Sequence, residues 1–223
     1  MIWLASYPRS GNTLMRQILR QCFGMKSGSV YPNDLGGNKA LEEACGHVEL
    51  DRQHGGVTLD ESASVVKTHE LPCDGGHAIY IIRDGRAACV SLWNYWNRAL
   101  PLIEVVRGNH RFGLWGEHAT AWIGSANLLT AFRYEQLVSR RNVDTLTILR
   151  AAMYPVLGAI KYRSINPPYA REHIADGKWI TKASNWREHW TPDIDAEFWR
   201  LNGETMRVFY PDEKCIDTAP QPA

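Results

Sequence analysis

Three short segments of this 223-residue chain carry side chains able to bind an anion and move a proton. The first is Ser6-Tyr7-Pro8-Arg9-Ser10-Gly11-Asn12-Thr13, followed by apolar residues Leu14, Met15, Ile18, Leu19 and Cys22. Their spacings of three and four predict an amphipathic helix starting near Gly11. A glycine lets the backbone approach closely, a helix start offers free N–H groups, and hydroxyl and cationic side chains lie beside them. Together these make an anion cradle. The plainer alternative is a capped turn, with Ser10 or Asn12 as cap and Arg9 in water. The Walker A pattern G-x-x-x-x-G-K-[ST] does not occur.

The second segment begins at Arg83, directly after the apolar run Ala78-Ile-Tyr-Ile-Ile82, and reaches Ser91 eight residues later. Arg83 can offer a bidentate fork to a phosphate and Ser91 a hydroxyl donor. Alternatively, Arg83 pairs with Asp84 and Ser91 is a small packing residue. Arg86 reads as a solvated first-turn side chain. Between the two lies Lys67-Thr68-His69-Glu70. A neutral imidazole suits a general base, and alternation at a strand end points Lys67 and His69 the same way. His47, His54 and His77 have no partner spacing and read as surface.

The elements that must position these groups follow from the apolar pattern. Residues 2–6, 64–67, 78–82 and 127–134 read as strands, the third buried on both faces like a parallel strand. Helices are expected from Gly11, after Gly85, over 143–157 and over 193–209, with loops and one helix in 24–64. Strands alternating with helices predict an α/β fold, a three-layer sandwich with a central parallel sheet and a P-loop-like nucleotide-binding topology. The chain is expected to form a single domain over 1–223. Ligands of such sheets lie beyond the carboxyl ends of the strands, where both arginine-bearing turns fall.

Bulk properties narrow the partners. A formal charge of +1 gives no pull toward nucleic acid or an anionic membrane. No apolar stretch reaches membrane-spanning length, and the opening run is too short for a secretory segment. Five scattered cysteines without a C-x-x-C pair argue against a disulfide framework and a zinc site, and for a reducing, cytoplasmic setting. Some of the nine tryptophans are expected in the core, but a set this large suggests an aromatic wall as well; Trp93, Tyr95, Trp96, Trp115 and Trp122 are the candidates, with Trp93 and Trp96 partly core by helical spacing.

Taken together, these segments resemble the PAPS-dependent sulfotransferases (PAPS being 3′-phosphoadenosine 5′-phosphosulfate), closest to bacterial members that sulfate natural products. The string ending Tyr7-Pro-Arg-Ser-Gly-Asn-Thr13 resembles their 5′-phosphosulfate loop, usually written Y-P-K-S-G-T-T-W. Arg9 stands where lysine is usual, and Leu14 where a tryptophan packs on adenine. Arg83 and Ser91 match the 3′-phosphate motif, and Lys67-Thr-His69 the K-T-H-L-P segment. The resemblance implies that residues 9–13, Arg83 and Ser91 hold PAPS. His69 would be the general base, with Lys67 and Arg9 stabilising the bridging oxygen. Glu70, which replaces an apolar residue of that pattern, either orients His69 or takes the proton itself. Tyr134 falls in a Y-E-D-like segment that contacts adenine. Lys182 lies in a poorly matching C-terminal segment, where it or Lys178 would reach the 3′-phosphate. The implied acceptor is a small molecule or glycan bearing a hydroxyl or amine, and the product is adenosine 3′,5′-bisphosphate. Two rivals keep the same opening: a P-loop kinase or NTPase, and a nucleotide-binding protein that has lost catalysis. The sequence says nothing of oligomeric state.

Overall fold

A computed structural model describes residues 2–50, 63–125, 127–138 and 185–216. Its centre is a five-stranded, wholly parallel sheet of order β2-β3-β1-β4-β5. The strands are β1 (Ile2–Ser6), β2 (Ser27–Ser29), β3 (Val65–Thr68), β4 (His77–Ile82) and β5 (Leu128–Arg133). The helices are α1 (Asn12–Phe23), α2 (Lys39–Ala44), α3 (Gly85–Tyr95), α4 (Leu102–Val106), α5 (Trp115–Ile123), α6 (Tyr134–Val138) and α7 (Pro192–Phe209).

Strand β4 shows why the molecule has three layers. Ala78, Tyr80 and Ile82 face one core with Trp115, Trp122 and Phe198, whereas Ile79 and Ile81 face the other with Met15, Ile18 and Leu19. Alternation along a strand sends successive side chains to opposite faces, so helices must cover both. Helix α1 covers one face; α3, α5 and α7 pack together over the other. β1 sits centrally, and the chain winds outward from it in both directions. The carboxyl ends of β1, β3 and β4 therefore meet at a topological switch point.

Most predicted elements fall where the periodicity puts them, and three readings are corrected. Ser27-Gly28-Ser29, within the 24–64 stretch expected as loops and one helix, carries no apolar residue and forms β2 by pairing with β3. Residues 93–122 contain α4 and α5, and Trp115 and Trp122 are buried in the core rather than in a ligand wall. Arg86 is buried, paired with Asp84 at 2.7 Å and Glu213 at 2.6 Å, with its guanidinium 4.4 Å from the Trp186 ring. The helix predicted at 143–157 lies outside the described residues. Among the described residues, Cys45, Cys73 and Cys89 are free thiols, and no helix is long and apolar enough to cross a membrane.

Candidate active site

The first corner runs from the end of β1 into α1. Gly11 caps α1 with φ 97°, and a Cβ there would meet the Tyr134 ring at 2.4 Å, so only glycine fits. Asn12 turns its amide inward, donating to the Leu4 carbonyl at 2.9 Å and to Ser6 Oγ at 3.3 Å. That leaves the backbone of the helix start to face the cleft. The second corner runs from β4 into α3, where Asp84 caps the helix by accepting from the Arg86 N–H at 2.9 Å.

The two corners meet. Arg83 Nη1 donates to the Arg9 carbonyl at 2.9 Å, and Arg9 Nε approaches Ser91 Oγ at 3.4 Å. Each guanidinium also lies over a ring, Arg83 over Tyr134 at 4.6 Å and Arg9 over Tyr95 at 4.9 Å. Both open onto one cleft of about 750 Å³. Arg9, Gly11, Asn12, Thr13, Lys67, His69, Arg83, Ser91 and Tyr134 all line it.

Two sequence-predicted residues do not. Ser10 is buried under the corner, and its hydroxyl finds no partner among the described groups. Glu70 is exposed; its carboxylate accepts from Tyr31 Oη at 2.9 Å and Arg111 Nη2 at 2.6 Å. Lys182 lies outside the described residues.

His69 is held from several sides. Its Nδ1–H donates to the Ser6 carbonyl at 2.7 Å, which leaves Nε2 as the free, proton-accepting nitrogen. Its backbone N–H donates to Tyr31 Oη at 2.9 Å. From α5, His118 Nε2–H donates to the His69 carbonyl at 3.0 Å and Trp122 Nε1–H to the Glu70 carbonyl at 2.9 Å. Tyr31 stacks on the imidazole at 5.6 Å, and Phe112 meets it edge-on at 6.1 Å. Burial, reinforced by the Lys67 charge, pulls its pKa down to about 3. The imidazole is therefore neutral at physiological pH.

Sequence reasoning missed four groups here. Asp34 lines the cleft and receives both Lys67 Nζ and Arg16 Nη1, the latter at 2.7 Å. Arg16 is wholly buried in α1. His47, read as surface, is the partner of Arg16 Nη2 at 2.8 Å. Tyr31, Arg111 and Phe112 join the expected Trp96 in the wall facing His69. The only early signal for this wall was the aromatic density around residue 96.

The architecture is the sulfotransferase fold. Mouse sulfotransferase SULT7A1 complexed with PAP matches with a TM-score of 0.60 at 19% identity, over 92% of this chain and 83% of that one. Retinol dehydratase in a complex with retinol and PAP gives 0.57 at 14% identity, over 92% and 81%. A retinol dehydratase complex with androsterone and the inactive cofactor PAP gives 0.55 at 15%, over 92% and 80%. No protein-family model and no curated relative matches the sequence.

Proposed function

We propose that this chain is a sulfotransferase that moves a sulfuryl group from PAPS to a hydroxyl or amine of a small-molecule or glycan acceptor, releasing adenosine 3′,5′-bisphosphate. One observation carries the reading: the bond from Arg83 to the Arg9 carbonyl joins two strand-to-helix corners into one cationic cleft with a neutral histidine at its edge. That the fold's structural neighbours are complexes with PAP supports it. The residues suit a nucleotide phosphorylated at both ends of its ribose. The start of α1 at Gly11 can offer backbone N–H groups to a bound oxyanion, and Arg83 and Ser91 can donate to a second phosphate. Tyr134 stands beside Gly11 as the candidate adenine contact.

PAPS supplies an activated sulfuryl group, and the residues do the rest. His69 Nε2 takes the acceptor proton as the acceptor oxygen or nitrogen bonds to sulfur. The bond from sulfur to the phosphate oxygen breaks, and its electron pair stays on that oxygen. Lys67 and Arg9 stabilise the charge developing there. Fixed cations in a partly closed cleft need no reorganisation at that moment, which is where such sites gain rate. Tyr31, Trp96, Arg111 and Phe112 form the acceptor side. The free thiols accord with work in a reducing cytoplasm.

A thermal-shift comparison of adenosine 3′,5′-bisphosphate, AMP and ATP tests the reading, together with label transfer from PAPS to a panel of phenols, sugars and glycopeptides. The bisphosphate should stabilise the protein most, and Arg83→Ala should abolish that preference. A preference for ATP with magnesium would instead favour a kinase or NTPase. Binding of the bisphosphate without any transfer would favour a protein that keeps the site and has lost the reaction.

A further inference from the structure

Asp34 sits in the loop between β2 and α2, and its carboxylate is only 5% exposed. One oxygen accepts from Arg16 Nη1 at 2.7 Å; the other takes the Lys67 ammonium. Arg16 is held in turn by Ser27 Oγ and His47 Nδ1, each at 2.8 Å, so the carboxylate is fixed from behind. Burial pushes the Asp34 carboxyl up, but Lys67 and Arg16 outweigh it and hold it below the usual carboxylate range. It is therefore charged at neutral pH. Lysine is a point charge on a flexible stem, and without a fixed partner it gives up direction to rotamer freedom. The 30–37 loop also carries Tyr31, which stacks on His69, and it meets β3 through this ion pair and through the Val30 N–H, which donates to the Lys67 carbonyl at 3.1 Å.

We propose that Asp34 is a positioning residue, which aims the Lys67 ammonium at the transferring sulfuryl group and latches the acceptor-side loop onto β3. The inference rests on the sulfotransferase reading. One charge between two cations leaves the trio net positive, so the carboxylate directs Lys67 without cancelling the field an anion meets.

The test uses the whole chain with kcat, acceptor KM and the Kd for adenosine 3′,5′-bisphosphate measured together. A wild type that neither binds the bisphosphate nor transfers label sinks the underlying reading; the variants address only the inference. Asp34→Asn should lower kcat about tenfold or more and raise acceptor KM, while the bisphosphate Kd stays within about threefold. Asp34→Glu should recover part of the loss. Lys67→Met and Lys67→Met/Asp34→Asn should share one kcat within about twofold, because Asp34 acts through Lys67. That pair deletes the lysine–carboxylate charges together, so it decides the matter even where Asp34→Asn alone folds poorly. A wild-type kcat in Asp34→Asn, or about tenfold further loss when it is added to Lys67→Met, overturns the proposal.

Discussion

The two sides of the cleft are built on different plans. The side proposed to hold the nucleotide consists of two strand-to-helix corners, each continuous in sequence, welded by the bonds from Arg83 to the Arg9 carbonyl and from Arg9 to Ser91 Oγ. The opposite side has no such unit. Tyr31, Asp34, Trp96, Arg111 and Phe112 come from three stretches of chain, joined mainly through side chains: Tyr31 to Glu70, Glu70 to Arg111, Asp34 to Lys67, and Trp96 stacked on Phe112. A corner made of backbone amides can be reused for the same phosphate in many proteins. A wall made of side chains can change by single substitutions, which suits the part that must select an acceptor. His69 stands between them, its Nδ1 tied to β1 and its ring to Tyr31.

The largest effect should come from that junction. Asn at position 69 keeps an amide N–H near the Ser6 carbonyl but deletes the free ring nitrogen. His69→Asn should therefore lower kcat by about 10²–10⁴-fold with little change in bisphosphate affinity. Equal losses in both would mean that the histidine supports the corner rather than the chemistry.

The second effect concerns acid stability. His69, held down to about 3, and His118, held down to about 4 by burial, are neutral in the fold. Both bind a proton once the chain unfolds, at an ordinary pKa near 6.5. Their folded pKa values lie below the unfolded one, so stability is complete above about pH 6.5 and falls as pH drops toward the folded values. Two such groups give a slope approaching about 2.7 kcal/mol per pH unit. Urea midpoints measured between pH 7 and pH 5 check this, and His118→Gln should roughly halve the slope. A stability flat across that range would show that at least one ring is solvated.

The two sides also differed in how far the sequence disclosed them. The corners were legible because their signals are local: a continuous apolar run from Ala78 to Ile82, then a polar turn, and after Gly11 apolar spacings of three and four. β2 escaped because Ser27-Gly28-Ser29 is a strand by pairing alone, with Gly28 pressed against Leu50, where a Cβ would stand 2.5 Å from its side chain. Helix α5 does carry a signal in Trp115, Ala119 and Trp122, but tryptophan at that density fits a ligand wall as well as a core. Asp34 offered nothing to read, since its partners lie 18 and 33 residues away and only the fold joins them.

A third prediction probes the welded side. Gly11→Ala places a Cβ against the Tyr134 ring at a backbone angle that L side chains avoid. The expected cost is about 1–3 kcal/mol, seen as a lowered Tm. Because Tyr134 must shift and carries Arg83 above it, the bisphosphate-induced shift should shrink as well. Loss of stability with that ligand shift intact would separate the corner's backbone from its role in binding.

The smallest effect is expected at Glu70, and it bears on which group takes the proton. A carboxylate next to a histidine invites assignment as a base, yet here it faces Tyr31 Oη and Arg111 rather than the cleft interior. Arg111 and Glu70 are both exposed, and ion pairs of that kind contribute about 0–1 kcal/mol. Glu70→Gln keeps an oxygen for the tyrosine hydroxyl and removes only the charge. Its kcat should stay within about threefold of wild type, with a modest change in acceptor KM as Arg111 is released. A loss of about a hundredfold would transfer the base role from His69 to Glu70, since removal of a general base costs at least that much. The pair of variants is therefore read together: a large loss at 69 with a small one at 70 locates the proton acceptor at the junction of the two sides, on Nε2.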